Sequence, residues 1–248
     1  MLILITAAGA GSRFTKECIK VPKPLIRVNG KTLLEHTLNS FHFKTGDQVL
    51  IAVQRAHEVP KLLNKHLQLT YPQATIRWIE IENLLPGQLS TATVALERAK
   101  PDPNQPLLIH NCDTGFKWQS DLLPVNDAYG SMAVFEAKGN HWSFGQPDPL
   151  DPNRAIAIAE KKRISNLASI GLYGFKSVGV FLSNAHKQLR TGETVKGEHY
   201  IAPLLQQAIS EGKIVQLPRV QGVCTYGTPE ELCRSFEIDL EELKENNP

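Results

Sequence analysis

The stretch that decides the fold is Leu2-Ile3-Leu4-Ile5-Thr6-Ala7-Ala8-Gly9-Ala10-Gly11-Ser12-Arg13-Phe14. Leu2–Thr6 is a short apolar run that ends directly in a glycine-rich loop, the pattern of a buried strand with a functional loop at its carboxyl end. In Ala8, Gly9, Ala10, Gly11 and Ser12 the side chains are small enough for backbone N–H groups to approach an anion closely. Arg13 adds a planar cationic fork that suits a triphosphate. Such a turn can also be a mere tight connection, or half of a dinucleotide fingerprint. The full G-x-G-x-x-G is absent, because Phe14 stands three residues after Gly11, and this weakens a nicotinamide-dinucleotide reading.

Ten residues after Arg13 comes Lys23, within Val21-Pro22-Lys23-Pro24-Leu25. A lone lysine is normally a solvated surface charge. Two prolines that hold the flanking chain extended make sense if this lysine must point at one place. Gly30-Lys31-Thr32 mimics the end of a P-loop, but that motif needs a glycine where Leu25 stands, so Val28–Lys31 reads as a turn leading into a helix.

Outward from this segment, helical periodicity marks Thr32–Phe43, Val59–Leu69 (Leu62, Leu63, His66 and Leu67 on one face) and Ser90–Ala99. Strands are expected at Gln48–Val53, Ala74–Ile81 and Pro106–His110. The alternation predicts an α/β fold, a Rossmann-like mixed and mostly parallel sheet flanked by helices. After Gly130 the reading becomes strand-rich, with Ser131–Ala137, Ala155–Glu160 and Ser169–Phe175 and few helices between them. A long loop over Gly145–Arg154 follows from its Pro and Asp content. Helices are expected at Glu198–Gly212 and Pro229–Leu243, with a strand near Ile214–Leu217. No linker or repeat divides the 248 residues, so one domain is expected, with halves 1–130 and 131–248.

Lys plus Arg total 27 against 25 for Asp plus Glu, which gives no field for nucleic-acid binding, so any phosphate affinity must be local. Cys18, Cys112, Cys224 and Cys233 lack C-x-x-C spacing and read as reduced thiols. No stretch has the length of a signal peptide or a membrane span, so a cytoplasmic protein without a membrane partner is expected.

Three further sites carry chemistry. Leu107–His110 ends at Asn111-Cys112-Asp113, and a carboxylate at a strand's carboxyl end sits where α/β sheets place ligands. Asp113 reads equally as a Mg²⁺ ligand or as a turn residue beside Thr114-Gly115. Gly87-Gln88-Leu89-Ser90-Thr91 opens a helix; Gln88 can bond a base edge, Gly87 permits close approach, and Ser90 reads as an N-cap. Glu160-Lys161 ends a strand. Such a pair is usually solvated and of little energetic worth, yet it offers a carboxylate for hydroxyls and an ammonium for a phosphate.

Leu4–Phe14, Pro22-Lys23-Pro24-Leu25 and Leu33-Leu34-Glu35-His36 together resemble the signature of sugar-1-phosphate nucleotidyltransferases, of the glucose-1-phosphate thymidylyltransferase type used for capsule and surface polysaccharides. The resemblance covers nearly the whole chain. It implies that the loop Ala8–Ser12 wraps nucleotide phosphates and that Arg13 and Lys23 neutralise charge on the reacting phosphates. Nucleobase recognition falls to the loop with Gly87, Gln88 and Thr91, and Mg²⁺ to Asp113. Glu160-Lys161 and the following Asn166-Leu167-Ala168 match the family closely. By carry-over, Glu160 and Asn166 meet sugar hydroxyls and Lys161 the sugar phosphate. Glu198, in Gly197-Glu198-His199-Tyr200, is either a helix-capping carboxylate or a sugar contact. Residues 1–130 would form the nucleotide half and 131–248 the sugar-phosphate half.

One departure stands out. Many members carry a second metal carboxylate two residues before the late Gly227-Thr228, where this chain has Thr225, and a hydroxyl is a poor ligand for a hard cation. The implied function is synthesis of a nucleoside-diphosphate sugar from a nucleoside triphosphate and a sugar 1-phosphate, with release of pyrophosphate and no nucleic-acid partner. The alternatives are a cytidylyltransferase for a phosphorylated alcohol and a non-catalytic nucleotide-sugar sensor. The resemblance leaves a homo-oligomer open.

Overall fold

In the computed structural model, which describes residues 1–119, 122–192 and 194–248, the first segment forms strand β1, Leu2–Ala7. Its side chains alternate between two cores, as strand geometry requires. Leu2 and Leu4 pack into one cluster with Leu89, Leu96 and Phe181, and Ile3 and Ile5 into a second with Leu34, Leu38, Leu63 and Leu67. All four β1 residues are fully buried, and each such burial contributes roughly 1.5–3 kcal/mol.

The chain continues through α1 (Ser12–Lys16), the short hairpin β2 (Arg27–Val28) and β3 (Lys31–Thr32), α2 (Leu33–Leu38), β4 (Asp47–Gln54), α3 (Val59–Thr70), β5 (Ala74–Ile81), α4 (Gln88–Ala99), β6 (Leu107–Asn111) and β7 (Thr114–Lys117). There follow β8 (Gly130–Glu136), β9 (Ser143–Pro147), β10 (Ala155–Glu160), β11 (Leu167–Phe175), α5 (Val178–Thr191), α6 (Ala202–Ser210), β12 (Val215–Gln216), β13 (Gln221–Thr225), α7 (Pro229–Phe236) and α8 (Leu240–Glu245).

The main sheet runs β10-β9-β11-β6-β1-β4-β5, with β8 on β11 and β12 on β8. β5, β4, β1 and β6 are mutually parallel, whereas β11 is antiparallel to β6 and β8, and β9 to β10. The expected mixed α/β sheet flanked by helices is what the chain forms. The chain leaves β1 toward β4 on one side and later returns to β6 on the other. The carboxyl ends of β1 and β6 therefore flank the point where strand order reverses, the place such sheets reserve for ligands.

The turn read at Val28–Lys31, leading into a helix, is what the chain forms, and several other local expectations are corrected. The turn at Asn29 and Gly30, both at positive φ, closes the β2–β3 hairpin and places Thr32 as cap of α2 in a reciprocal capping box with Glu35. α2 itself stops at Leu38. On α3 the inward face is Val59, Leu63 and Leu67, while Leu62 is 65% exposed. The second half is richer in helix than read: α5 spans 14 residues, capped by Ser177 and ended by Gly192 at φ 71°. Residues 145–147 belong to β9. The last expected helix divides into α7 and α8 at Glu237, whose φ of 56° stops α7.

Candidate active site

A cleft of about 430 Å³ opens at the carboxyl ends of β1 and β6. Gln54, the last residue of β4, donates from its amide to the carbonyls of Ala8 (2.9 Å) and Gly9 (3.3 Å), tying the loop after β1 to the neighbouring strand. Gly11 takes φ 63°, and α1 follows at once, so Arg13 lies on the first turn of a helix at the cleft wall. Phe14, Ile19, Ile26 and Leu33 are buried with Tyr226, Leu232 and Leu243 in a third cluster, which clamps this signature segment against the C-terminal helices.

Lys23 begins a 3₁₀ turn, Lys23–Leu25, after an extended Pro22, so the proline bracket is a tight turn rather than a wholly extended run. Its Nζ lies 5.7 Å from the centroid of the Phe14 ring and 3.8 Å from Oδ2 of Asp113. Asp113 follows β6 and lines the cleft. Its main-chain carbonyl accepts from the N–H of Tyr226, and Oδ1 accepts from the Thr114 hydroxyl at 3.2 Å. The turn reading of this residue is what the chain shows, and its side chain also lines the cleft. Among the described residues no three His, Cys, Asp or Glu side chains gather as a metal-holding group. A cation bound here would take one carboxylate from Asp113 and complete its shell with substrate phosphate and water oxygens, the arrangement Mg²⁺ commonly adopts.

Thr225 pairs with Thr114 across β13 and β7 and does not line the cleft. A different carboxylate does. Glu231 of α7 accepts from the Gly227 N–H at Oε2 (3.0 Å), and its Oε1 lies 3.3 Å from Nε2 of His141.

Gly87, at φ 94°, caps α4, which begins at Gln88. Ser90 is therefore inside the helix, its hydroxyl donating to the Pro86 carbonyl rather than capping. The Nε2 of Gln88 is buried beside the cleft without a partner among the described residues, a donor for an acceptor atom on a ligand. Thr91 also lines the cleft, its hydroxyl donating to the Gly87 carbonyl.

Across the cleft, Glu160 ends β10 and accepts from the Ser143 hydroxyl. Burial lifts its carboxyl above the usual range, against the opposing pull of that bond and of Lys161. Lys161 takes a left-handed backbone, φ 52°, and its Nζ donates to the Tyr200 hydroxyl, which donates in turn to Glu198. Glu160, Lys161 and Glu198 all line the cleft. Glu198 caps no helix, since α6 starts only at Ala202.

Asn166 stands elsewhere. It is exposed, its Oδ1 accepts from Arg163 at 2.6 Å, and it lies outside the cleft lining. The carry-over to sugar hydroxyls is not supported for this residue, because β11 leads it to the far end of the pairing with β8, where its carbonyl bonds Ala137. Tyr173, by contrast, is buried and lines the cleft behind Ser143. His141, Trp142, Tyr200 and Glu231 are cleft residues that sequence reasoning missed; only Tyr200, inside the quoted Gly197–Tyr200 stretch, had a signal nearby.

A profile of the MobA-like NTP transferase domain matches residues 3–168, well over half of the chain. The chain belongs to this family. It is also similar in sequence to the "Bifunctional protein GlmU" of Methanocaldococcus jannaschii, 24% identical over 214 residues that cover 85% of this chain and 47% of that protein. The chain spans about half the length of the curated relative it matches. Among solved structures, the chain is similar to the nucleoside-diphosphate-sugar pyrophosphorylase of Vibrio cholerae RC9, with TM-score 0.83, 27% identity, and 96% and 100% of the two chains covered. It shares its fold with the inositol-1-phosphate CTP transferase of T. maritima, with TM-score 0.70, 16% identity, and 98% and 96% covered. Among the described residues, no helix is long and apolar enough to cross a membrane.

Proposed function

We propose that this NTP transferase joins the nucleotidyl group of a nucleoside triphosphate to a sugar 1-phosphate and releases pyrophosphate. The observation that carries the reading is the pairing of two unlike walls across one cleft. On one side stand the loop Ala8–Ser12, Arg13, Lys23 and Asp113; on the other stand Glu160, Lys161 and Glu198. The first wall offers backbone donors and two cations, suited to a triphosphate. The second offers one ammonium for a phosphate and carboxylates that accept from hydroxyls, which a sugar 1-phosphate presents together. The likeness to a nucleoside-diphosphate-sugar pyrophosphorylase supports the same substrate class.

In this reading an acceptor-phosphate oxygen attacks the α-phosphorus, the bond from that phosphorus to the bridging oxygen breaks, and pyrophosphate leaves. The acceptor phosphate is already ionised, so no general base is needed. Lys161 holds it, and Glu160, Glu198 and the donor Gln88 orient the rest of the two ligands. Arg13 and Lys23 meet the growing negative charge on the transferring and leaving phosphates. Mg²⁺, when held by Asp113 and the phosphates, would supply further neutralisation of that charge. Lys23, 3.8 Å from Oδ2, is then the counter-charge that aims the Asp113 carboxylate.

The test is a screen of five nucleoside triphosphates against a panel of sugar 1-phosphates, inositol 1-phosphate and phosphocholine, read by pyrophosphate release. Turnover confined to sugar 1-phosphates is expected. Turnover only with CTP and a phosphorylated alcohol would replace this reading by the alternative transferase. Nucleotide binding with no turnover on any pair would leave a sensor.

A further inference from the structure

Lys161 is built in an unusual way for a lysine at a strand end. Its backbone is left-handed at φ 52°, a strained conformation for a non-glycine residue. Its N–H donates to the Trp142 carbonyl at 3.0 Å, which fixes that conformation. A lysine side chain on such a base would still range widely, because four rotatable bonds give it large rotamer entropy. Here it does not range: Nζ donates to the Tyr200 hydroxyl and lies 4.2 Å from the centroid of the Tyr200 ring.

Tyr200 is itself held. Its hydroxyl has one proton, which goes to Glu198, leaving its lone pairs for the ammonium. Burial and the Glu198 carboxylate keep that phenol protonated. The strip before it is bonded to the opposite wall: the His199 N–H donates to Pro86, and the His199 carbonyl accepts from the N–H of Leu89. The Gln188 amide reaches the Tyr200 carbonyl at 3.4 Å. The strip that carries Tyr200 is thus registered against the Gly87–Gln88 loop, and Tyr200 transfers that register to the ammonium.

We propose that Tyr200 is a positioning residue that aims the Lys161 ammonium at the phosphate of the acceptor substrate. The inference rests on the reading that Lys161 binds that phosphate. It adds that the lysine is preorganised by a hydroxyl and a ring face supplied from a separate segment, 39 residues on. Preorganisation raises acceptor affinity because the side chain is ordered before the ligand arrives.

The experiment is a substitution series assayed with the sugar 1-phosphate and nucleotide that turn over fastest in the screen above, each substrate varied with the other saturating. Tyr200→Phe keeps the ring under the ammonium and removes the hydroxyl; Tyr200→Leu removes both. Expected are acceptor KM values about fivefold higher for Phe and about twentyfold for Leu, with nucleotide KM unchanged within twofold. Lys161→Ala should match or exceed the Leu variant, and adding Tyr200→Phe to Lys161→Ala should cost nothing further, since a residue that acts through another has no effect in its absence. Melting temperature, measured on each variant, separates these effects from loss of fold. An unchanged acceptor KM in both Tyr200 variants overturns the proposal, as does a Tyr200→Phe effect that persists in full without Lys161. If Lys161→Ala alone leaves acceptor KM unchanged, the phosphate reading of Lys161 fails first, and the positioning role falls with it. Absence of turnover in the screen would sink the proposed function itself, a result separate from both.

Discussion

A methyl group placed on Gly87 would lie 2.5 Å from the carbonyl oxygen of His199 and 2.7 Å from its nitrogen. The two walls of the cleft therefore meet backbone to backbone at this glycine, which also holds φ 94°. Neither feature tolerates a side chain.

Gly87→Ala should accordingly damage both substrate subsites at once. The Pro86–His199 and His199–Leu89 bonds must open to admit the Cβ. The expected outcome is a loss of at least about 2 kcal/mol of stability, from strain and lost bonds together, with KM raised for both substrates. Thermal melts and paired substrate titrations check this; a variant with unchanged KM for both would show that the strip moves without consequence.

Arg13→Ala should lower kcat/KM by about a hundredfold, since a preorganised charge on a transferring phosphoryl group is worth roughly 3 kcal/mol. The residue is exposed on α1, so the fold should survive the change. Steady-state kinetics on the purified variant decides it; near-native turnover would remove Arg13 from the site.

Turnover should require Mg²⁺ and stop with chelator, and Asp113→Asn should mimic the chelator. Because Lys23 lies 3.8 Å away, the substitution also strips that lysine of its counter-charge. Mn²⁺ titration in the presence of nucleotide, followed by electron paramagnetic resonance, reports cation binding without activity. Unchanged Mn²⁺ affinity in Asp113→Asn would return the residue to its turn.

Tyr226 is fully buried, and its hydroxyl bonds Thr37 at 2.8 Å. Tyr226→Phe leaves the Thr37 hydroxyl with its bond to the Leu33 carbonyl, so the cost should be about 1 kcal/mol. Tyr226→Ala opens a cavity between α2 and α7 and should cost about 3–5 kcal/mol. Urea denaturation measures both.

Stability should also fall as pH drops below about 6.5. Burial presses the His36 imidazole below its ordinary value, beyond what the bond to the Val28 carbonyl restores. A histidine with a depressed native value binds fewer protons folded than unfolded, so its contribution is present above the unfolded value and lost as pH falls toward the native one. His36→Gln should show a smaller fall in melting temperature between pH 7.5 and 5.5 than the parent; an equal or larger fall would assign acid sensitivity to other groups.

The sequence by itself determined one wall of the cleft. Leu2–Arg13, the Lys23 turn and Asp113 are runs of local chemistry: an apolar strand, small loop residues, a proline bracket, a strand-end carboxylate. Each is decided within a dozen residues, so each is readable in order along the chain. The opposite wall was readable only where it repeats a local pattern, as at Glu160-Lys161. Tertiary structure alone decided the rest. Asn166, five residues after that pair, faces solvent because the turn before β11 bonds it to Arg163 and Ala137, away from the cleft. Glu231 and Tyr200, remote in sequence, face the cleft because α7 packs beneath the signature loop and the 198–200 strip bonds to Pro86. The left-handed backbone at Lys161 is likewise tied to a distant partner, the Trp142 carbonyl, since lysine does not favour that conformation by itself. Local propensity fixes what a segment can be; the pairing of β11 with β6 and β8, which no local run encodes, fixes which side chains share a cleft.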